Sequence, residues 1–237
     1  MQTTGAMDAG GTTQLLRSVA EQLKLPLTTI ARQAELGHLT GDITLTDVRA
    51  IQTHAEAALT LVDSYLLGLQ LAEGQAELAL EPVSVSSLLV DVAHALDGFA
   101  KQYGMRLELQ VGGKYPPVMA HQVGLRSALL ALGYALVESY PTGNRTLTLA
   151  VHQTPHGIVT GLYGDYEQLR TDQWRTALAL QGQARQPFAA LCTGSGAGLF
   201  VAETILEAMA TRLRVGKHRK QYGLATTLQA SQQLQFV

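Results

Sequence analysis

Cysteine is nearly absent from this chain: Cys192 is the only one in 237 residues. A lone thiol excludes an internal disulfide and a cysteine-based structural zinc site. It fits a reducing, cytoplasmic compartment, with Cys192 as a buried spectator. Charge is scarce as well. With 15% charged residues and a net charge of -2, the chain has no global field to capture nucleic acid or an anionic membrane, and neither is expected as a partner. No run of about 18 apolar residues occurs; the longest candidate, residues 125–137, is short and contains Arg126. The Gly- and Thr-rich start, residues 1–13, lacks the basic stretch and apolar block of a secretory signal, and residues 1–11 read as a flexible leader.

Apolar residues are plentiful: at 46% hydrophobic over 237 residues, the chain can bury a sizeable core in one or two domains. Between residues 46 and 70, Val48, Ile51, Ala55, Ala58, Val62, Tyr65 and Leu69 alternate spacings of three and four, an a/d seam that expects a partner helix. Thr44 followed by Asp47 gives this helix a capping-box start. Upstream, Leu16, Val19, Leu23, Leu27, Ile30 and Ala34 form a second helical stripe, with Pro26 expected to bend it. The polar stretch 37–45 is short enough to fold the two helices into a hairpin over residues 12–72. Two such hairpins would bury their seams in a dimeric four-helix bundle, a homodimer through residues 12–70. The alternative is a hairpin that packs against its own second domain.

After a linker at 73–80 the pattern changes, and residues 81–237 read as a second domain. Ser86 is positioned to cap a helix that Gly104 closes. Residues 105–111 alternate as a half-buried strand, and residues 116–119 lead into a helix from about 122 to 139. Strands at 145–152 and 157–163, a glycine-rich opening at 194–198, a helix to about 210, and strands at 212–215 and 224–228 complete the order. Helices on one face of a mixed sheet would bury this pattern, giving an α+β protein: a helical hairpin followed by a two-layer α/β sandwich.

The stretch from Ser18 through Glu21, Gln22, Lys24, Leu25, Pro26 and Leu27 to Ile30 resembles the phosphoacceptor box of sensor histidine kinases. That box has a histidine, an acid, an apolar residue, a basic residue, a Thr or Asn, then Pro-Leu. The resemblance puts Glu21 at the histidine, Gln22 at the acid and Leu25 at the Thr or Asn that orients water in the reverse reaction. A phosphoryl acceptor of this type needs an imidazole oriented by a carboxylate. Glu21 could form only an acyl phosphate, and Gln22 is no base.

The order of elements after the hairpin is similar to the ATP-binding domain of histidine kinases, gyrase, Hsp90 and MutL. The segment from Pro116 to Leu132 runs in register with the family's asparagine-box helix. It puts Ala135 at the magnesium-binding asparagine, Ala131 at the other asparagine and Glu138 at the usual lysine. At the adenine-binding Asp-x-Gly the match is Leu162-Tyr163-Gly164, with Asp165 three residues on. Gly194, Gly196 and Gly198 resemble the family's phosphate loop; glycines that open a helix expose N–H groups to a phosphate, or simply allow tight packing there. With these losses the resemblance implies no bound metal and no ATP, unless a degenerate pocket still binds.

Two further histidines, His54 beside the second seam and His38 near the end of the first helix, are the candidates for a displaced phosphoacceptor. His152 and His156 are four apart but fall across a strand end and a turn, not on a zinc-binding helix. Lys217, His218, Arg219 and Lys220 form a basic run expected at a solvated hairpin turn. The reading is therefore a degenerate, pseudokinase-like signalling protein that dimerises and docks a response-regulator receiver or a partner kinase through Glu21, Gln22 and Lys24. The competing readings are an active kinase or phosphotransferase using His54 or His38, and a purely structural dimer module of a larger sensor.

Overall fold

The structure, a computed structural model, describes residues 9–138, 145–166 and 197–231. Helix α1 spans Ala9–Thr40 and runs continuously through Pro26. Residues 9–11, expected within a flexible leader over 1–11, are helical, and residues 1–8 lie outside the described residues. Gly41, with φ of +70°, closes α1 by donating its N–H to the Gly37 carbonyl at 3.1 Å, the left-handed stop that glycine adopts without a Cβ clash. Helix α2, Leu45–Ala72, opens on the expected capping box. The Asp47 N–H donates to the Thr44 Oγ1 at 3.2 Å while the Asp47 carboxylate accepts from the Thr44 N–H at 3.0 Å.

The second half contains β1 (Glu81–Val83), α3 (Val85–Gln102), β2 (Met105–Gln110), β3 (Val118–Ala120) and α4 (Gln122–Glu138). It continues with β4 (Arg145–Thr154), β5 (Gly157–Gly164), a fifth helix that we label α5 (Ala197–Ala208), β6 (Arg214–His218) and β7 (Gln221–Leu228). Ser84, not Ser86, caps α3. The antiparallel pair β1–β3 was not expected; three-residue strands are too short to show alternation. The main sheet has the order β2-β4-β5-β7-β6, with β2 and β4 parallel and every other pair antiparallel. Leu147, Leu149 and Val151 of β4, Ile158 and Leu162 of β5, and Leu224 and Leu228 of β7 share one face. There they join Leu89, Val92 and Leu96 of α3 and Leu125, Leu129 and Leu132 of α4 in the core. Period-two strands against apolar helices thus give the mixed sheet with helices on one side.

The hairpin does not stand apart. Helix α2 packs against α3, α4 and α5, and α1 reaches α5. The buried residues of α2 are His54, Ala57, Ala58, Leu61, Ser64, Tyr65 and Gly68. Of the expected seam only Ala58 and Tyr65 are among them; Val48 is exposed and Ile51, Ala55, Val62 and Leu69 lie at intermediate depth. The docked face is rotated from the seam because α2 is apolar on two sides, and its small residues, Ala57, Ala58 and Gly68, suit close approach to other helices. The other side, with Leu45, Val48, Leu59 and Leu66, stays exposed.

Candidate functional site

Helix α4 is buried along nearly its whole length, and the residues that the resemblance equates with polar ligands lie inside it. Ala131 and Ala135 are 1% and 3% exposed. They face the start of α5: a Cβ built on Gly198 would lie 2.6 Å from the Ala131 carbonyl oxygen and 3.1 Å from the Ala135 Cβ. Gly198 is therefore glycine because α5 begins in contact with the α4 backbone, and the two helices meet through methyl groups and backbone. Gly194 and Gly196 lie outside the described residues. The packing role of the glycine opening is thus visible at Gly198.

Leu162, at the position of the adenine-binding aspartate, is fully buried in β5, paired with Leu149 on one side and Leu224 on the other. An isobutyl group there offers no acceptor to an exocyclic amine. Asp165 is exposed just beyond the strand. The next residue, Tyr166, is buried and donates its hydroxyl to the Leu136 carbonyl of α4 at 3.3 Å. This bond ties the chain leaving β5 down onto α4.

Glu138, at the lysine position, ends α4 close to the hairpin. Burial raises the hydroxyls of Tyr65 on α2 and of Tyr103 after α3 above the ordinary tyrosine range, and the Glu138 charge raises both further. Tyr134 is pushed up to about 12, mainly by burial. Phe99 stacks edge-on to Tyr134 at 4.9 Å and meets the His54 ring at 6.2 Å. This aromatic junction between α2, α3 and α4 was missed in the sequence, where its members fall on three separate segments.

His54 is 4% exposed. Burial holds its imidazole below the usual histidine range, with a side-chain bond to Gln102 opposing. His38 is exposed in the last turn of α1. Glu21, Gln22, Lys24 and Leu25 all lie on α1; Lys24 is exposed and Pro26 is buried. Positions 21 and 24, three apart, share one side of the helix. His156 is exposed at the turn between β4 and β5, apart from the half-buried His152. Among the described residues no group of three or more His, Cys, Asp or Glu could hold a metal ion, and no helix is long and apolar enough to cross a membrane.

No family model matches the sequence, and no curated protein matches it. Solved structures do match. The chain is similar to the Acinetobacter baumannii histidine kinase AdeS, at 15% identity and a TM-score of 0.52 over 89% of this chain and 98% of that one. It is similar to full-length ShkA, a structure in complex with AMPPNP, at 19% identity and a TM-score of 0.54 over 93% of this chain and 45% of that one. A bacterial phosphotransferase is similar at 13% identity and a TM-score of 0.51, over 95% of this chain and all of the other. At such identities the likeness is one of architecture: the chain has the fold of a histidine kinase catalytic core, a helical hairpin followed by the ATPase-type α/β sandwich.

Proposed function

We propose that this protein is a degenerate histidine-kinase-like signalling protein that acts by dimerisation and protein docking, without autophosphorylation or ATP turnover. The observation that carries the reading is the contact of Gly198 with Ala131 and Ala135. In the resemblance these alanines replace polar ligands of the nucleotide and its magnesium ion. Here they are closed over by the start of α5, and Leu162 adds an apolar residue at the adenine position. Binding ATP there would require parting two packed helices and would leave the phosphate charge without its cation.

The hairpin supports the same conclusion. Glu21 offers no imidazole and Gln22 no base, and the buried His54 replaces neither. Two surfaces are proposed for partners. The stripe Leu45, Val48, Leu59 and Leu66 is spaced to pair with its own copy in a four-helix bundle, so a homodimer through residues 12–70 is part of the proposal. Glu21, Gln22 and Lys24 on α1 form the surface proposed for a response-regulator receiver or a partner kinase, and the protein would work in the cytoplasm.

Two measurements test this. Incubation with radiolabelled ATP and magnesium should leave the protein unlabelled; acid-labile label on His38 or His54 would establish the active-kinase reading instead. Thermal unfolding with and without Mg-ATP should give one midpoint. A bound ligand at about 100 times its dissociation constant would add roughly 2.7 kcal/mol of stability.

A further inference from the structure

The sheet face turned away from the helices holds a second, unassigned cluster. Strand alternation places on it Gln110 of β2, Ala150 and His152 of β4, Tyr163 of β5, Ala225 of β7, and Arg214 and His218 of β6. In a flat sheet β2 and β6, at opposite edges, would be about 19 Å apart. Yet the His218 Nε2 lies 2.8 Å from the Gln110 Oε1, and the His218 ring is 5.4 Å from the His152 ring and 5.2 Å from the Tyr163 ring. Strand twist and coil have brought diagonal corners of the sheet together. Glycine permits the closure: a Cβ on Gly216 would lie 3.3 Å from the Tyr163 ring.

The enclosed groups are polar and incompletely paired. Tyr163 is 0% exposed, and its hydroxyl, like the His152 Nδ1, is buried without a hydrogen-bond partner among the described residues. Burial of unpaired donors is unfavourable unless something else satisfies them. We propose that this closed corner binds a small oxyanion, a phosphate or carboxylate group, held by the Tyr163 hydroxyl, the imidazoles of His152 and His218, and the Arg214 guanidinium.

The electrostatics favour an anion over a cation. Burial lowers both imidazoles from their ordinary range; Arg214 lowers His152 further, and His152 and Arg219 lower His218. The tyrosine is pushed up to about 12 by burial, with Arg214 opposing, and so keeps its donor hydrogen. Among the described residues the charged groups on this face are Arg106 and Glu108 of β2 and Arg214 of β6, with Arg219 and Lys220 at the β6–β7 turn, and Glu108 is the one carboxylate among these. A bound anion would favour protonated imidazoles, and its binding takes up protons. Affinity therefore rises as pH falls through the histidine range.

The test is thermal unfolding of the full chain in rising inorganic phosphate and, separately, acetate, at ionic strength held constant with sodium chloride, at pH 6 and pH 8. A saturable rise in midpoint with either anion, stronger at pH 6, is expected; the anion that gives it identifies the source class. Tyr163→Phe keeps the ring over Gly216 and should abolish the rise, while Arg214→Gln should weaken binding at least about tenfold, as loss of a charged hydrogen bond does. His152→Asn is the second variant should the phenylalanine protein not fold. No saturable rise in the parent, or a rise unchanged in the variants, overturns the proposal. So does stabilisation by zinc ion, but not by phosphate or acetate, that His152→Asn removes.

Discussion

Gly68 of α2 lies directly against Val201 of α5: a Cβ at position 68 would sit 3.4 Å from the Val201 Cγ2. The hairpin thereby becomes part of the cooperative core, with Leu61 sharing a cluster with Leu96 and Leu132. Leu61→Ala should destabilise the chain by about 2–5 kcal/mol, the usual cost of truncating a buried leucine. Urea unfolding followed by circular dichroism and by tyrosine fluorescence should give coincident single transitions. Separate transitions for hairpin and sandwich would contradict the docking.

The start of α5 has no room for a methyl group. Gly198→Ala would place its Cβ 2.6 Å from the Ala131 oxygen, so α5 must shift, and a loss of about 1–3 kcal/mol is expected in urea titrations. Ala135→Asn restores a polar group at the position of the magnesium ligand, but in a residue that is 3% exposed. It should likewise destabilise, by about 1–3 kcal/mol, and should bring no Mg-ATP stabilisation. A raised midpoint with Mg-ATP in this variant would show that the nucleotide site is intact but for one residue.

His54 makes stability depend on pH. Its folded-state imidazole titrates below the ordinary value of about 6.5, so the unfolded chain binds more protons between those two points. The stability held by neutral His54 is complete above about pH 6.5 and declines as pH falls toward the folded value. Since His152 and His218 shift the same way, His54→Leu should flatten the fall in urea midpoint from pH 7 to pH 5 without removing it. Equal slopes in parent and variant would rule out burial as the cause.

The exposed side of α2 predicts assembly. Leu59 and Leu66 are 64% and 52% exposed, two turns apart on one face. Burial of a leucine stabilises by about 1.5–3 kcal/mol, so Leu59→Glu and Leu66→Glu should each weaken a dimer more than about tenfold. Sedimentation equilibrium reads this directly. A parent that stays monomeric at high concentration would end the four-helix-bundle proposal.

The architecture was legible because its signals are local. The 3.6-residue stripes of α1 and α2, the Thr44 and Asp47 cap, the alternation in β2 and the Pro155 turn between β4 and β5 each act within a few residues and need no partner to be recognised. The box from Ser18 to Ile30 and the register of Pro116 to Leu132 named the fold that the structural comparisons show. Boundaries were less legible at Ser84 and at β1 and β3, where two hydroxyls compete for one cap and three residues carry no period.

By itself the sequence determined the helices and the five strands of the main sheet, since composition and short-range periodicity are properties of neighbouring residues. Only the tertiary structure decided which of two apolar faces of α2 is buried, that Gly198 backs onto Ala131, and that His152 meets His218 across a coiled sheet. Those outcomes depend on the relative placement of elements far apart in the chain. Packing, which no local signal encodes, selects among the faces that each element offers.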